Sequence, residues 1–334
     1  MKNLFRWILY GLTCLVIIGL GGWGSLAIWF TQPVETEVMR GALIAVFVVL
    51  CVAGMVGILF ARWTLLFPFI LAFLLVLGWW FTIEPRNDRQ WQPDVATLAR
   101  AEIDGDKVTL RNIRNFAYRS ETDFTPRWYD KTVDLNNLET LDLIAVYWMG
   151  DAIAHTLVSF GFGGDYVAFS IEIRKERDES FSTIGGLFRR YELYYVVGDE
   201  RDLIGLRTTY RNPAEDVYLY RVKARKEGIR RLFLQYIHRI NKLNERPEFY
   251  NTLTTNCTTN IVTHVRAFSD RMPLSWKMLA SGYFPELIYE QGALYGDQPF
   301  ADLRAQSLIN ARARKADGAE NFSSLIREGL PGMR

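Results

Sequence analysis

The run HTLVSFGFGGDYVAFSIEI at residues 155–173 decides the fold. Both halves are rich in β-branched and aromatic residues with alternating polarity. Between them Gly163-Gly164 supplies the positive φ that a two-residue turn needs, so the run reads as an antiparallel hairpin of strands His155–Phe160 and Tyr166–Ile173. With the two glycines at the turn centre, paired residue numbers sum to 327, which sets Glu172 opposite His155. Opposite residues share a face. The alternation agrees: Val158 and Phe160 fall with Val167, Phe169, Ile171 and Ile173, leaving His155, Ser170 and Glu172 on the other side. A slip of two sets Ser170 or Arg174 opposite the histidine instead, so Ser170 is the alternative orienting group.

Working outward, strand patterns recur at Lys107–Ile113, Leu141–Trp148, Tyr191–Val197, Leu203–Thr209 and Val217–Val222. Lys226–Leu243 then carries Ile229, Leu232, Phe233, Tyr236, Ile237, Ile240 and Leu243 at helical spacing. The expectation is an α+β domain in which an antiparallel sheet is covered by a helix. Residues 84–100, with Pro85 and Pro93, read as a linker. The cluster Arg221, Lys223, Arg225, Lys226, Arg230 and Arg231 reads as a solvated face, the alternative being a surface that touches anionic lipid headgroups. The domain is bounded at 101–275, and the extension 276–334 either covers the core or lies as an amphipathic segment on a membrane.

Residues 1–82 differ in kind. Three uncharged apolar runs, about 7–30, 42–61 and 64–81, are each near the length of a bilayer-spanning helix. Trp23, Trp29 and Phe30 stand where a cleaved signal would carry small residues, so the first run reads as a retained anchor. Lys2 and Arg6 before the first run, and Arg62 between the second and third, put the amino terminus inside and everything after Phe81 outside. In a bacterium this is an inner-membrane protein with a cytoplasmic amino terminus and a periplasmic domain. The membrane part holds Lys2, Arg6, Arg40 and Arg62 against Glu35 and Glu37, which accounts for the net charge of +2. The remainder is balanced, and a basic nucleic-acid footprint is absent.

Cys14 and Cys51 lie in the apolar runs, so Cys257 is the sole cysteine of the exported part, on an oxidising side where unpaired thiols are uncommon unless used. It sits in YNTLTTNCTTN at 250–260. Ile261, Val262, Val265 and Phe268 predict a helix starting near the cysteine, capped by Thr255, Asn256 or Thr258. A thiol at a helix amino terminus is biased toward thiolate. The same amides, with the Asn256 side chain and with Thr258 in support, suit an oxyanion. The expected set is therefore Cys257 as nucleophile, His155 as base and Glu172 as orienter. His264 lies two turns along the same helix, too far for a direct base; His238 reads as a boundary residue. No cysteine and histidine spacing suits zinc, no phosphate loop occurs, and the chemistry needs no cofactor.

The stretches YWMGDAIAHT at 147–156 and YNTLTTNCTTN at 250–260 resemble the Lnb N-terminal periplasmic domain family, and the order of His, polar residue and Cys resembles the circularly permuted papain-like thiol enzymes that include NlpC/P60 and lecithin:retinol acyltransferase relatives. The likeness covers roughly residues 110–270. It implies a permuted papain-like domain and a periplasmic thiol acyltransferase that N-acylates lipoproteins from a phospholipid donor, with Cys257 as nucleophile and His155 as base. The family carries its membrane helices after this domain, whereas here they precede it, which leaves the acceptor open. The alternatives are a cysteine peptidase or amidase of the cell envelope, and a membrane scaffold without catalysis.

Overall fold

Long apolar sequences without charge form helices because only a helix satisfies its own backbone in hydrocarbon. In the computed structural model, which describes residues 2–34, 36–267 and 272–333, they form α1 (Lys2–Thr31), α2 (Glu37–Leu59) and α3 (Leu66–Thr82). All three runs are long and apolar enough to cross a membrane. Glu35 and Phe268 lie outside the described residues. The chain divides into two units, Met1–Arg86 with Phe181–Tyr191, and Asn87–Ser180 with Glu192–Arg334.

In the first unit α1 and α2 approach closely because small residues face large ones. A Cβ on Gly24 would stand 2.6 Å from the Phe47 ring, and one on Gly21 would stand 2.7 Å from Cys51 Sγ. Ile17, Ile28, Ile58 and Phe69 complete this core. Phe188 stacks on Phe30, with centroids 5.9 Å apart. Arg189 lies 4.0 Å over the Trp80 ring and donates to the carbonyls of Trp80 and Ile83, both at 3.0 Å, putting a cation on the carbonyl end of α3.

The second unit is built on ten strands: β1 (Arg100–Asp104), β2 (Lys107–Arg114), β3 (Ala117–Tyr118), β4 (Phe124–Thr125), β5 (Trp128–Asp134), β6 (Leu138–Tyr147), β7 (Ala154–Phe162), β8 (Asp165–Arg174), β9 (Glu192–Gly198) and β10 (Asp216–Arg221). Eight of them form one sheet in the order β1-β2-β9-β8-β7-β6-β10, with β5 beside β2; β3 and β4 pair separately. All pairings are antiparallel except β2 with β9. The turn is the one expected, with Gly163 at φ 62° and Gly164 at φ 105°. Pairing from Phe162 with Asp165 to Leu157 with Ser170 keeps the sum of 327.

Both faces of this sheet are covered. Helix α5 (Lys226–Glu245) presents Phe233, Tyr236 and Ile237 to Phe160 and Phe169 on one side. On the other, Ile144, Val146, Leu157 and Ala168 pack against Leu203, Ile204, Ile309, Phe322 and Ile326. The carboxy-terminal extension therefore covers core.

Three expectations change. Leu203–Thr209 is no strand: α4 (Glu200–Gly205) runs into a π-helical turn, Leu206–Tyr210. Strand propensity there yields to tertiary context, since the adjacent Leu203 and Ile204 both face the sheet and Asp202, fully buried, accepts from Arg114 at 2.8 Å and from the Phe116 amide at 2.7 Å. From Asn87 on, the stretch read as a linker belongs to the second unit: Trp91 is buried beneath Arg174, and Asn87 donates to the Leu243 carbonyl at 2.9 Å. Arg221 leaves the solvated cluster, being buried against Asp142 at 2.5 Å. Arg327 meets the same aspartate at 2.7 Å and Glu200 at 2.5 Å.

Candidate active site

Asn256 ends the preceding loop because its side chain offers the backbone a cap. Its Oδ1 accepts from the Thr259 amide at 2.9 Å, and Thr259 Oγ1 in turn accepts from the Asn256 amide at 2.9 Å. Helix α6 (Cys257–Arg266) thus opens on Cys257. The first-turn amides of Cys257 and Thr258 have no intrahelical acceptor and remain as donors. Thr258 pins this end to β7, its Oγ1 lying 3.2 Å from Thr156 Oγ1 and 3.9 Å from Cys257 Sγ.

The hairpin supplies the other half. His155 Nε2 lies 2.6 Å from Ser170 Oγ and 3.0 Å from Glu172 Oε1, and Ser170 Oγ donates to the same carboxylate oxygen at 2.6 Å. The two expected alternatives, Glu172 and Ser170, are therefore brought together on one imidazole nitrogen. The Cys257 thiol is close enough to the imidazole for the charge of His155 to lower it, and with Nε2 committed to Ser170 and Glu172, Nδ1 is the nitrogen left free.

The charges favour an ion pair. Burial pushes the Cys257 thiol up, but the neighbouring His155 and hydrogen bonds from Thr156 outweigh it and bring the thiol down to about 7. Burial pushes His155 down and Arg207 opposes its charge, yet Glu172 and Cys257 raise it to about 9. Burial would raise Glu172; His155, Arg207 and Ser170 hold it well below the usual carboxylate range. Between these two values thiolate and imidazolium coexist.

Sequence reasoning missed three neighbours. Arg207, on the π-helical turn, donates to Glu172 Oε1 at 2.9 Å and to Glu215 Oε2 at 3.1 Å. It was hidden because its segment read as a strand. Thr156 was legible only as the residue next to His155. Half-buried Tyr250 has its hydroxyl raised by burial and then by the charges of Cys257 and Glu172. The Asn256 side chain is engaged at both ends: one Nδ2 proton goes to the Thr252 carbonyl at 2.7 Å while Oδ1 caps the helix, which leaves it one further donor.

The other histidines stand apart. His264 is buried with Nε2 2.9 Å from Tyr195 Oη, and burial with Arg239 holds it down to about 4, so it stays neutral. His238 is exposed. A cavity of about 490 Å³ beside α6 is lined by Thr259, Thr263, Arg266 and Trp276. At 100° per residue those helix positions face away from Cys257, so the cavity is not part of this site.

Residues 124–282 match the family model described as the Lnb N-terminal periplasmic domain, the family that the two quoted stretches resemble, and the match includes His155, Glu172, Arg207 and Cys257. No curated protein and no solved structure matches the chain. With its three apolar helices, the chain is a membrane-anchored protein with a periplasmic carboxy-terminal domain.

Proposed function

We propose that this Lnb N-terminal periplasmic domain is a cysteine acyltransferase that works through a thioester on Cys257, in a bacterial inner membrane with the amino terminus cytoplasmic. The observation that carries the reading is the thiol at the start of α6, lowered by the neighbouring charge of an imidazole whose Nε2 is held by Glu172 and Ser170. The thiolate attacks the ester carbonyl of a phospholipid, and the oxyanion is met by first-turn amides of α6. As the C–O bond breaks, imidazolium gives its proton to the departing lysophospholipid oxygen. An amine, such as a lipoprotein amino terminus, then attacks the thioester while His155 accepts its proton, and the thiolate leaves. No cofactor takes part.

A lipid donor is favoured by exposed apolar side chains on the approaches to the pair: Trp148 and Met149 before His155, and Leu253 before Cys257. Anchoring to the membrane also raises the local concentration of such a donor. The test supplies purified protein in mixed micelles with phospholipid and a diacylglyceryl-cysteine peptide. The expected result is lysophospholipid together with N-acylated peptide, both lost in Cys257→Ser. Peptide cleavage without lysophospholipid would make the domain a peptidase or amidase, and unchanged function of a folded Cys257→Ser protein would make it a scaffold.

A further inference from the structure

Glu172 is one end of a chain of alternating charges. Arg207 bridges Glu172 and Glu215 at 2.9 Å and 3.1 Å; Glu215 also accepts from Arg211, which reaches Glu121 at 3.1 Å. The inner members are buried, with Arg207 and Glu215 only 7% and 6% exposed, whereas the Glu121 side chain is half in solvent. Arg207 projects from a π-helical turn, a geometry that costs hydrogen-bond quality and recurs at functional positions.

A lone guanidinium against Glu172 would compete with the imidazole for that carboxylate and weaken its hold on His155. Sharing the guanidinium with Glu215 divides its charge between two carboxylates, so Glu172 is oriented without being neutralised. Its Oε1 faces Arg207, Ser170 and His155 together.

Resting on the thiol-imidazole reading above, we propose that Arg207, balanced by Glu215, is a positioning residue that fixes the Glu172 carboxylate and sets the basicity of His155, and with it the alkaline limit of the thiolate-imidazolium state. The groups facing that state from all sides are Glu172 and Ser170 on β8, Arg207 on its turn, Cys257 on α6, Thr156 on β7, Tyr236 on α5 and Tyr250 in the loop before α6. Arg207 and Glu172 are the permanent charges among them. The two pull His155 in opposite directions, which makes the sign of each substitution definite.

The chain has three histidines, so the imidazole of His155 can be followed in the full-length protein, in detergent micelles, by NMR of ¹³C-labelled histidine, assigned with a His155→Gln variant. In Arg207→Gln the field of Glu172 on His155 is unopposed, and its titration midpoint should rise by about half a unit or more. In Glu215→Gln the whole guanidinium charge falls on Glu172, and the midpoint should fall. Arg207→Lys keeps the charge and should restore most of the parent midpoint. Opposite shifts in the two variants sustain the assignment; if Arg207→Gln does not fold, the downward shift in Glu215→Gln alone carries it. Midpoints that stay put in the folded variants, or move the same way, overturn it. The readout needs no acyl substrate, so this result is separate from that of the transfer assay: absence of lysophospholipid sinks the proposed reaction, and static midpoints sink the role of Arg207.

Discussion

Replacing Glu172 by Gln keeps the size of the side chain and an acceptor for Ser170 and Arg207 while removing the charge that holds His155 protonated. In the parent protein His155 is raised from 6.5 to about 9 despite burial, which corresponds to about 3 kcal/mol in favour of imidazolium. Without Glu172, burial and Arg207 both disfavour the cation, and the imidazole becomes neutral at pH 7. The thiol then loses the partner that brought it to about 7 and returns to its ordinary 9.0 or above. The thiolate fraction at pH 7 falls from about one half to about one in a hundred. A more basic thiolate is intrinsically about eightfold more reactive over that interval, so alkylation at pH 7 should slow only about sixfold. The discriminating quantity is the midpoint. The pH profile of iodoacetamide labelling, followed by mass spectrometry of the Cys257 peptide to exclude Cys14 and Cys51, should move up by about two units. Acyl transfer, which also needs imidazolium as acid, should fall by at least about 100-fold. A folded Glu172→Gln protein whose midpoint stays within about half a unit of the parent would refute the reasoning.

Three further outcomes follow. Asn256→Ala removes the cap of α6 and should cost about 1 kcal/mol, seen as a lowered Tm with a modest rise in the Cys257 labelling midpoint; an unchanged Tm would show the cap to be idle. Gly282→Ala would put a Cβ 1.9 Å from the Asp151 carbonyl oxygen, where the Gly282 amide meets the Ala152 carbonyl, and should cost about 1–3 kcal/mol and disturb the approach to His155; parent-like stability and labelling would contradict that packing. His264, held at about 4 when folded, takes up a proton between pH 6.5 and 4 only on unfolding, so its contribution is present above 6.5 and lost on acidification, by at most about 3 kcal/mol. Thermal melts across that interval should be flatter in His264→Gln, and identical slopes would assign the acid sensitivity elsewhere.

What was legible followed from local chemistry that leaves few choices. Two glycines at a turn centre fix a register whose pairs run to Leu157 with Ser170, and the face it sets brings both Ser170 and Glu172 to His155. A helix beginning at Cys257 was legible because a capping asparagine precedes apolar residues at helical spacing. Arg207 was not, because β-branched threonines beside Leu203 and Ile204 imitate a strand; only the buried Asp202, bonded to Arg114 from β2, reveals why the segment coils. Strands β1 and β5 escaped for a related reason: they lie toward one side of the sheet and keep many exposed positions, which blurs the alternation. The role of the carboxy-terminal extension depends on partners distant in sequence, such as Arg327 on Asp142 and Glu200, and no local pattern encodes such pairings.

Cys257 must carry an acyl group during reaction if transfer runs through a thioester. Full-length protein is incubated with phospholipid in the absence of an amine acceptor, quenched in acid and examined by peptide mass spectrometry. The predicted result is a fatty-acyl adduct on Cys257 that hydroxylamine removes, that is absent from His155→Gln, and that disappears when an amine acceptor is added. Turnover of phospholipid by a parent protein whose Cys257 remains unmodified at every time point, and by Cys257→Ser at the same rate, would contradict it.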